Sequence, residues 1–481
     1  MLKETEQTKK NPKAHFIGLC GKGMSAVAVL LSERGWEISG SDAGVYDPIK
    51  SYLEKTNLTC NTPHAPENIP DDVDLIVLGR HAKLIPEKND EVRHAVEHFN
   101  NILVSFPQVL GELTKETKEN IVIAGSYGKS TTTALLAHVL QESPAGDPSY
   151  FIGALPYGFN RSSHNGKGEI FILEGDEYPS SYSDQRSKFL HYNATSLILT
   201  SLEHDHINVF PTLAEYHTPY IELIQSLPAE GIIIASAENP HVLEILEKYP
   251  SKARMATYGL HTGDYTARNI TYGLESSFDV YKNDALIGNF TTQLLGEHNI
   301  QNCIGMIACV LEHEWLAVEE LQKNIATFQG LRRRLDRIDN SEKSRFIMYE
   351  GYGTSYTKAK TAIEALQLHF PNKELHVLFE PHTFSWRNRE YIDAYDTVFA
   401  GVDHIAIYPP PTHGKSTHDQ LSHDEIVERV NKNHPGAVGV NNLEDIENYI
   451  RQNIPDDAIL LVLTSGSFDD QMREIVKMGN R

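Results

Sequence analysis

Cysteine is scarce in this 481-residue sequence: Cys20, Cys60, Cys303 and Cys309 are the only four, and no two form a CxxC pair. With no CxxC pair and no disulfide framework the pattern suits a reducing compartment, and the four thiols are expected to be buried or neutral. No apolar run approaches the roughly 18 residues of a membrane span, and the first residues, Met-Leu-Lys-Glu-Thr-Glu-Gln-Thr-Lys-Lys, hold no apolar signal-peptide core. The expectation is a cytoplasmic, soluble protein whose residues 1–13 are a frayed polar leader. Positive charge is in deficit too, with 43 Lys and Arg against 65 Asp and Glu and a formal net charge of −22. Non-specific binding of nucleic acid or of an anionic membrane is therefore not expected, and small anionic ligands would need local cationic pockets. Repeats and low-complexity tracts are missing. At 40% hydrophobic residues the chain has material for several cores, and its length calls for two to four domains.

What is present is organised around Ile121-Val-Ile-Ala-Gly125-Ser-Tyr-Gly128-Lys129-Ser130-Thr131-Thr-Thr133. A β-branched run, a glycine-spaced turn, a lysine with a hydroxyl neighbour and an Ala/Leu-rich stretch predict a strand, a phosphate loop and a helix. Gly125 and Gly128 let backbone amides turn inward, and the helix beginning near Lys129 adds its positive end. Lys129 would bridge terminal phosphates while Ser130 or Thr131 held Mg²⁺. The general spacing asks for glycine at position 123, which is Ile123. A second triplet, Gly414-Lys415-Ser416, follows three prolines and precedes no apolar helix, so it reads as a plain loop.

Upstream, Ala14 to Gly18 predicts a strand, Gly18-x-x-Gly21-x-Gly23 a turn, Ser25 to Arg34 a helix closed by Gly35, and Trp36 to Asp42 a second strand ending in an acid. That order is how a Rossmann half-fold reads. The glycine spacing departs from G-x-G-x-x-G, which weakens a nicotinamide reading and leaves room for another diphosphate ligand such as a UDP-sugar. Strands are expected at Asp74–Gly79 and Asn101–Phe106. Downstream, Glu169 to Glu177 and Leu197 to His206 are buried strands ending in Glu174-Gly-Asp176-Glu177 and Glu203-His-Asp-His206. Ligands collect at the carboxyl ends of strands in open α/β sheets, so both clusters should face the phosphate loop. A core strand at Gly231–Ser236, short antiparallel strands between Thr257 and Phe290, and an apolar helix after Gly296 complete this region. Gly330-Leu-Arg332-Arg333-Arg334 is a basic patch at a domain boundary. Strand and helix then alternate to Ala458–Leu463, with a capping box at Ser422-x-x-Glu425. The expected fold class is α/β in three consecutive domains: 1–112 Rossmann-like, 113–335 P-loop ATPase-like and 336–481 Rossmann-like.

Five motifs in order, Gly125-Ser-Tyr-Gly-Lys-Ser-Thr-Thr, Glu174-Gly-Asp-Glu177, Glu203-His-Asp-His206, Gly296-Glu-His298-Asn299-x-x-Asn302 and Gly330-x-x-Arg-Arg, resemble the Mur ligases, ATP-dependent amide-forming enzymes of peptidoglycan metabolism. The resemblance spans nearly the whole chain. It implies that Lys129, Glu177, His206 and Arg334 act in catalysis, that Gly125, Gly128, Lys129, Ser130 and Thr131 hold the phosphates of ATP, and that Asn299 binds adenine with His298 and Asn302 beside it. One Mg²⁺ would sit at Ser130 or Thr131 with Glu177 and a second near His206. The N-terminal Gly-Leu-Cys-Gly and Gly40-Ser-Asp-Ala-Gly-Val-Tyr-Asp-Pro48 resemble members that use UDP-N-acetylmuramate, which places Gly18, Gly21, Gly23, Ser41 and Asp42 on that ligand. The stretch Asp184-Gln-Arg186-Ser-Lys188-Phe189, with His191-Tyr192, is similar to members that add the murein tripeptide L-alanyl-γ-D-glutamyl-meso-diaminopimelate. Arg186 and Lys188 would meet its carboxylates. L-Alanine is the alternative amine, and a non-ligating relative that binds UDP-sugar and ATP is a further reading. The third domain departs from the family pattern: the aspartate and both histidines expected after its first strand are missing from Glu350-Gly-Tyr-Gly-Thr-Ser-Tyr-Thr357, and the arginine expected after Phe379-Glu-Pro-His382 is Thr383, with Arg387 a replacement only by a shift.

Overall fold

The computed structural model describes residues 2–45, 49–141, 146–206, 209–339, 344–411 and 419–479. The triplet at 414–416 and the Tyr46-Asp47-Pro48 end of the N-terminal motif lie outside the described residues. Two compact units make up the chain: one holds the chain up to Ile270 with Ser277–Thr292 and His298–Gln329, the other holds Thr271–Ser276, Gln293–Glu297 and everything from Gly330.

The first unit begins with β1 (Lys13–Ile17), β2 (Glu37–Ser41), β3 (Leu75–Leu78) and β4 (Leu103–Ser105), all parallel in the order β2-β1-β3-β4. Leu-Ile-Val-Leu of β3 is buried at every position, as expected of a parallel strand covered on both faces. The helix Lys22–Glu33 packs Met24 through Leu31 into that core. Two expectations are corrected. Leu2–Thr8 is a helix rather than a frayed leader: Leu2 is buried, and Glu6 accepts from Arg34 Nη2 at 2.6 Å and Trp36 Nε1 at 2.8 Å. Phe106 opens a helix, Phe106–Leu113, instead of ending a strand, because Ser105 and Gln108 form a capping box and Pro107 sits in its first turn.

Beneath this sheet lies a network without local sequence signature. Glu91, fully buried, accepts from His15 Nε2 at 2.9 Å and from Ser41 Oγ at 2.7 Å, and its other contact is His64 Nδ1 at 3.0 Å. Burial alone would raise the Glu91 pKa, but the hydrogen bonds from His15, His64 and Ser41 outweigh it and hold it at about 2, against 4.5 for an ordinary glutamate. A folded value below the unfolded one means stabilisation that is complete above pH 4.5 and lost as pH falls toward 2. A shift of this size corresponds to on the order of 3 kcal/mol. Urea unfolding of wild type and Glu91→Gln at stepped pH should therefore show the variant losing less stability between those limits; parallel curves would refute the assignment.

The second sheet of this unit has ten strands: β5 (Glu119–Ala124), β6 (Ser149–Phe151), β7 (Ser163–His164), β8 (Ile170–Glu174), β9 (Ser196–Leu199), β10 (Ile232–Ser236), β11 (Arg254–Tyr258), β12 (Tyr265–Thr271), β13 (Ser276–Lys282) and β14 (Ala285–Thr292). Their order is β14-β13-β12-β11-β10-β9-β5-β8-β6-β7. β5 is parallel to both neighbours, β8 and β9. Asn283 and Asp284, both at positive φ, turn β13 into β14, the two-residue loop of an antiparallel hairpin.

In the second unit β15 (Arg334–Arg337), β16 (Ile347–Tyr352), β17 (Leu375–Phe379), β18 (His404–Ile407), β19 (Val438–Gly439) and β20 (Ile459–Thr464) run in the order β15-β16-β20-β17-β18-β19, parallel except for β15. The architecture is thus α/β with three parallel-rich sheets, as the strand and helix alternation predicts. No described helix is long and apolar enough to cross a membrane.

Candidate active site

The site is built where β5, β8 and β9 end. β5 stops at Ala124, Gly125 takes φ +139° and Gly128 φ +82°, and the helix Lys129–Leu140 begins at once. Gly128 is held to glycine on two counts: its φ lies in the left-handed region, and a Cβ there would stand 2.5 Å from Asn302 Oδ1. The amides of Ser126 and Tyr127, between the two glycines, are engaged within the protein. They donate to Ser201 O and Ser201 Oγ, both at 3.0 Å, and lash the loop to the end of β9. The first turn of the helix carries N–H groups with no intrahelical acceptors, a setting that suits an anion.

Lys129 folds back over the turn. Its Nζ donates to Gly125 O and stands 3.3 Å from Glu177 Oε2. Burial opposes the ammonium charge, yet Glu177, Tyr216, Asp176 and Glu174 outweigh it and raise the Lys129 pKa above the ordinary lysine value. The reciprocal holds for Glu177: burial would raise its pKa, while Lys129 and His206 keep the carboxyl ionised well below the glutamate range. His206 Nε2 lies 3.1 Å from Glu177 Oε1, and its Nδ1 lies 3.1 Å from the Tyr178 hydroxyl. His206 adopts φ +58°, a left-handed conformation uncommon for a side chain of this size and frequent at working sites. Ser130 Oγ donates to Glu174 Oε1 at 2.8 Å, and the Gly153 amide donates to Glu174 Oε2 at 2.7 Å. Thr131 is buried in the same helical turn. Asn302 Nδ2 donates to Asn299 Oδ1 at 3.1 Å, both side chains being buried, and His298 is half-buried one residue before. The structure therefore brings Lys129, Glu177 and His206 into one cluster and seats Asn302 against the glycine turn.

Sequence reasoning missed three supports. Tyr178 orients His206 and had only its place beside Glu177 to mark it. Ser126 Oγ donates to Glu203 O at 2.6 Å and lies 2.9 Å from Tyr216 OH, which is 3.0 Å from Tyr220 OH. Asn239 Nδ2 donates to Glu203 Oε1 at 2.9 Å while Asn239 Oδ1 caps the helix Pro240–Lys248.

At the N-terminal sheet, Gly18 (φ +89°) and Leu19 donate their amides to Ser41 O at 2.8 and 3.0 Å, Gly21 caps the following helix, and a Cβ on Gly23 would meet the Phe106 ring at 2.9 Å. Ser41 is corrected: its hydroxyl is buried and turned to Glu91, so its side chain is structural. Asp42 braces the turn, Oδ2 accepting from the Cys20 amide at 2.9 Å and Oδ1 from the Ala43 amide at 2.7 Å. Lys188 is also corrected. It is 14% exposed, its Nζ donates to Asp176 Oδ2 at 2.6 Å, and it lies over the Phe106 and Tyr178 rings at 5.4 and 5.7 Å, so its charge is already matched. Arg186 is 55% exposed, with Glu222 Oε1 at 3.4 Å.

In the second unit Arg334 lies exposed on β15. Its neighbour Arg333 turns in, Nε donating to Glu350 Oε1 at 2.7 Å and Nη2 to Gly466 O at 2.8 Å. Glu380 accepts from the Thr464 hydroxyl and from the Phe468 amide at 3.2 Å. Burial raises the pKa of both Glu350 and Glu380, the first near the end of β16 and the second directly after β17. Arg387 is buried, its Nη1 donating to Pro411 O at 3.1 Å.

The sequence profile described as "Mur ligase middle domain" matches residues 123–310, and that described as "Mur ligase family, catalytic domain" matches residues 13–118. A UDP-N-acetylmuramate–L-alanine ligase from Dictyoglomus turgidum is 32% identical over 78% of this chain and 76% of its own. Among solved structures, a UDP-N-acetylmuramate–alanine ligase from Thermotoga maritima superposes with a TM-score of 0.77 at 22% identity, covering 97% of this chain and 98% of that one. A UDP-N-acetylmuramate:L-alanyl-γ-D-glutamyl-meso-diaminopimelate ligase from Neisseria meningitides superposes with a TM-score of 0.60 at 27% identity, over 67% of this chain and all of that one. The chain belongs to the Mur ligase family, whose members are ATP-dependent, ADP-forming amide ligases.

Proposed function

We propose that the chain uses ATP to convert the carboxylate of UDP-N-acetylmuramate to an acyl phosphate, which an amine then attacks to form an amide and release phosphate. The observation that carries this reading is the convergence of Lys129, Glu177 and His206 beside the Gly125–Gly128 turn. A carboxylate and a triphosphate repel, so the reaction needs concentrated, preorganised positive charge, and such stabilisation is commonly the largest catalytic contribution. Lys129 is an ammonium kept charged by its surroundings, poised to exchange the Gly125 carbonyl for a phosphoryl oxygen. The oxygen donors at the helix start suit a hard cation: Ser130, Thr131 and the ionised Glu177 would hold one Mg²⁺ and His206 would border a second. Bound there, Mg²⁺ would neutralise the triphosphate. Asn299, with His298 and Asn302, takes the adenine side, and Gly18, Gly21, Gly23 and Asp42 take the nucleotide-sugar. Arg334 enters on its Gly330-x-x-Arg-Arg motif. Residues 1–112 are assigned to UDP-N-acetylmuramate, 113–335 to ATP and 336–481 to the amine.

For the amine, the 32% identity to an L-alanine ligase supports L-alanine. A second reading, the murein tripeptide, is supported by the Asp184–Tyr192 segment and the Neisseria relative. With Lys188 engaged by Asp176, the tripeptide reading leans on Arg186. Phosphate release with ATP, Mg²⁺ and UDP-N-acetylmuramate against L-alanine, a dipeptide and the tripeptide decides between them. If the tripeptide is the substrate, Arg186→Ala should raise its KM severalfold and leave that for UDP-N-acetylmuramate unchanged. Failure of every amine to support phosphate release would leave a non-ligating relative.

A further inference from the structure

The Glu350 and Glu380 carboxylates sit toward the carboxyl ends of the second unit's strands, and the amino ends of β17 and β18 carry a separate cluster. β17 and β18 run parallel, and their register sets His376 directly beside His404. Strand side chains alternate between faces, so Glu374 and His376 project to one side. Leu375, Val377 and Phe379 go to the core on the other. One ligating atom from each of Glu374, His376 and His404 lies within 4.8 Å of the other two. Glu374 Oε2 and His376 Nε2 are 3.4 Å apart, and the two imidazoles stack at 4.7 Å between centroids and 25° between planes.

Three features make this more than a chance grouping. His376 is 0% exposed, yet its ring stacks on another imidazole and its Nε2 edge faces a carboxylate instead of apolar side chains. Its Nδ1 lies 3.4 Å from the hydroxyl of Tyr449, on the helix Leu443–Asn453, which leaves Nε2 aimed at Glu374; metal-bound imidazoles are commonly fixed in this way through the second nitrogen. The 3.4 Å between Nε2 and Oε2 agrees with the spacing of about 3.3 Å between ligands of a tetrahedral ion with bonds of about 2.0–2.1 Å.

We propose that Glu374, His376 and His404 form a binding site for a zinc-class divalent transition metal ion, with a fourth position left for water or an external donor. Two imidazoles with one carboxylate suit Zn²⁺ or Co²⁺ far better than Mg²⁺ or Ca²⁺, which prefer an all-oxygen shell. The ion would clamp the start of β17 to that of β18.

Co²⁺ is the probe, titrated into the full chain in excess Mg²⁺. Wild type should develop the visible absorption of low-coordinate Co²⁺, saturate at one equivalent and lose the colour to Zn²⁺. His404→Gln and Glu374→Gln, both at exposed positions, should weaken Co²⁺ binding at least tenfold with unchanged far-UV circular dichroism. A wild type with no such absorption, or one whose absorption persists in both variants, would overturn the site.

Discussion

Lys129→Ala should lower kcat for nucleotide-dependent ligation by about 10³-fold or more, the order of loss seen when one preorganised electrostatic donor is removed. The ammonium sits between the Gly125 carbonyl and Glu177 at the start of the helix, with Glu174 and Asp176 nearby, so no other cation of the loop can take its place. The same substitution leaves the buried Glu177 carboxylate without its main counter-charge, and breaking such a pair costs about 3–5 kcal/mol. His206 at 3.1 Å offsets part of that, so the variant should fold with a lowered thermal midpoint. Single-turnover phosphate release on folded protein separates the two effects. A variant that turns over like wild type would remove Lys129 from the mechanism.

Glu177→Gln and His206→Gln should each depress ligation by about 10²–10³-fold and raise the Mg²⁺ concentration needed for half-maximal rate. Because the two side chains touch and Tyr178 steadies the histidine, the double variant should lose little more than the worse single one. A double-mutant cycle in kcat/KM measures this coupling. Multiplicative losses would mean that one of the pair is a bystander at the strand end.

Features that are local in sequence were legible: the strand, glycine turn and helix around Gly125–Lys129, because glycine spacing and an apolar strand announce them, and the strand-end clusters, because carboxylates and imidazoles follow directly on Ile-Phe-Ile-Leu and Leu-Ile-Leu. The Ser105–Gln108 capping box is equally local but is masked by the apolar run that it ends. Partners distant in sequence were not legible. Nothing near His15 points to Glu91, 76 residues on, and the inward turn of Ser41 follows from that pairing. Lys188 reads as a free cation until the fold sets Asp176 against it. His376 and His404 each look like ordinary strand residues until the register makes them neighbours.

The placing of β5 has a consequence for biosynthesis. Its two hydrogen-bonding neighbours, β8 and β9, come from residues 170–174 and 196–199, so the strand that launches the phosphate loop leaves the ribosome well before either edge can be covered. At about 5–20 residues per second the wait for β9 is on the order of 4–15 s. Until β8 emerges Ile121-Val-Ile123 is an apolar strand with both edges bare, and until β9 emerges one edge stays open to pairing with another nascent chain. The helix Lys129–Leu140 is translated immediately afterwards and can shelter only a face of it. The segment proposed to grip ATP is thus also one that waits with open edges while the protein is being made.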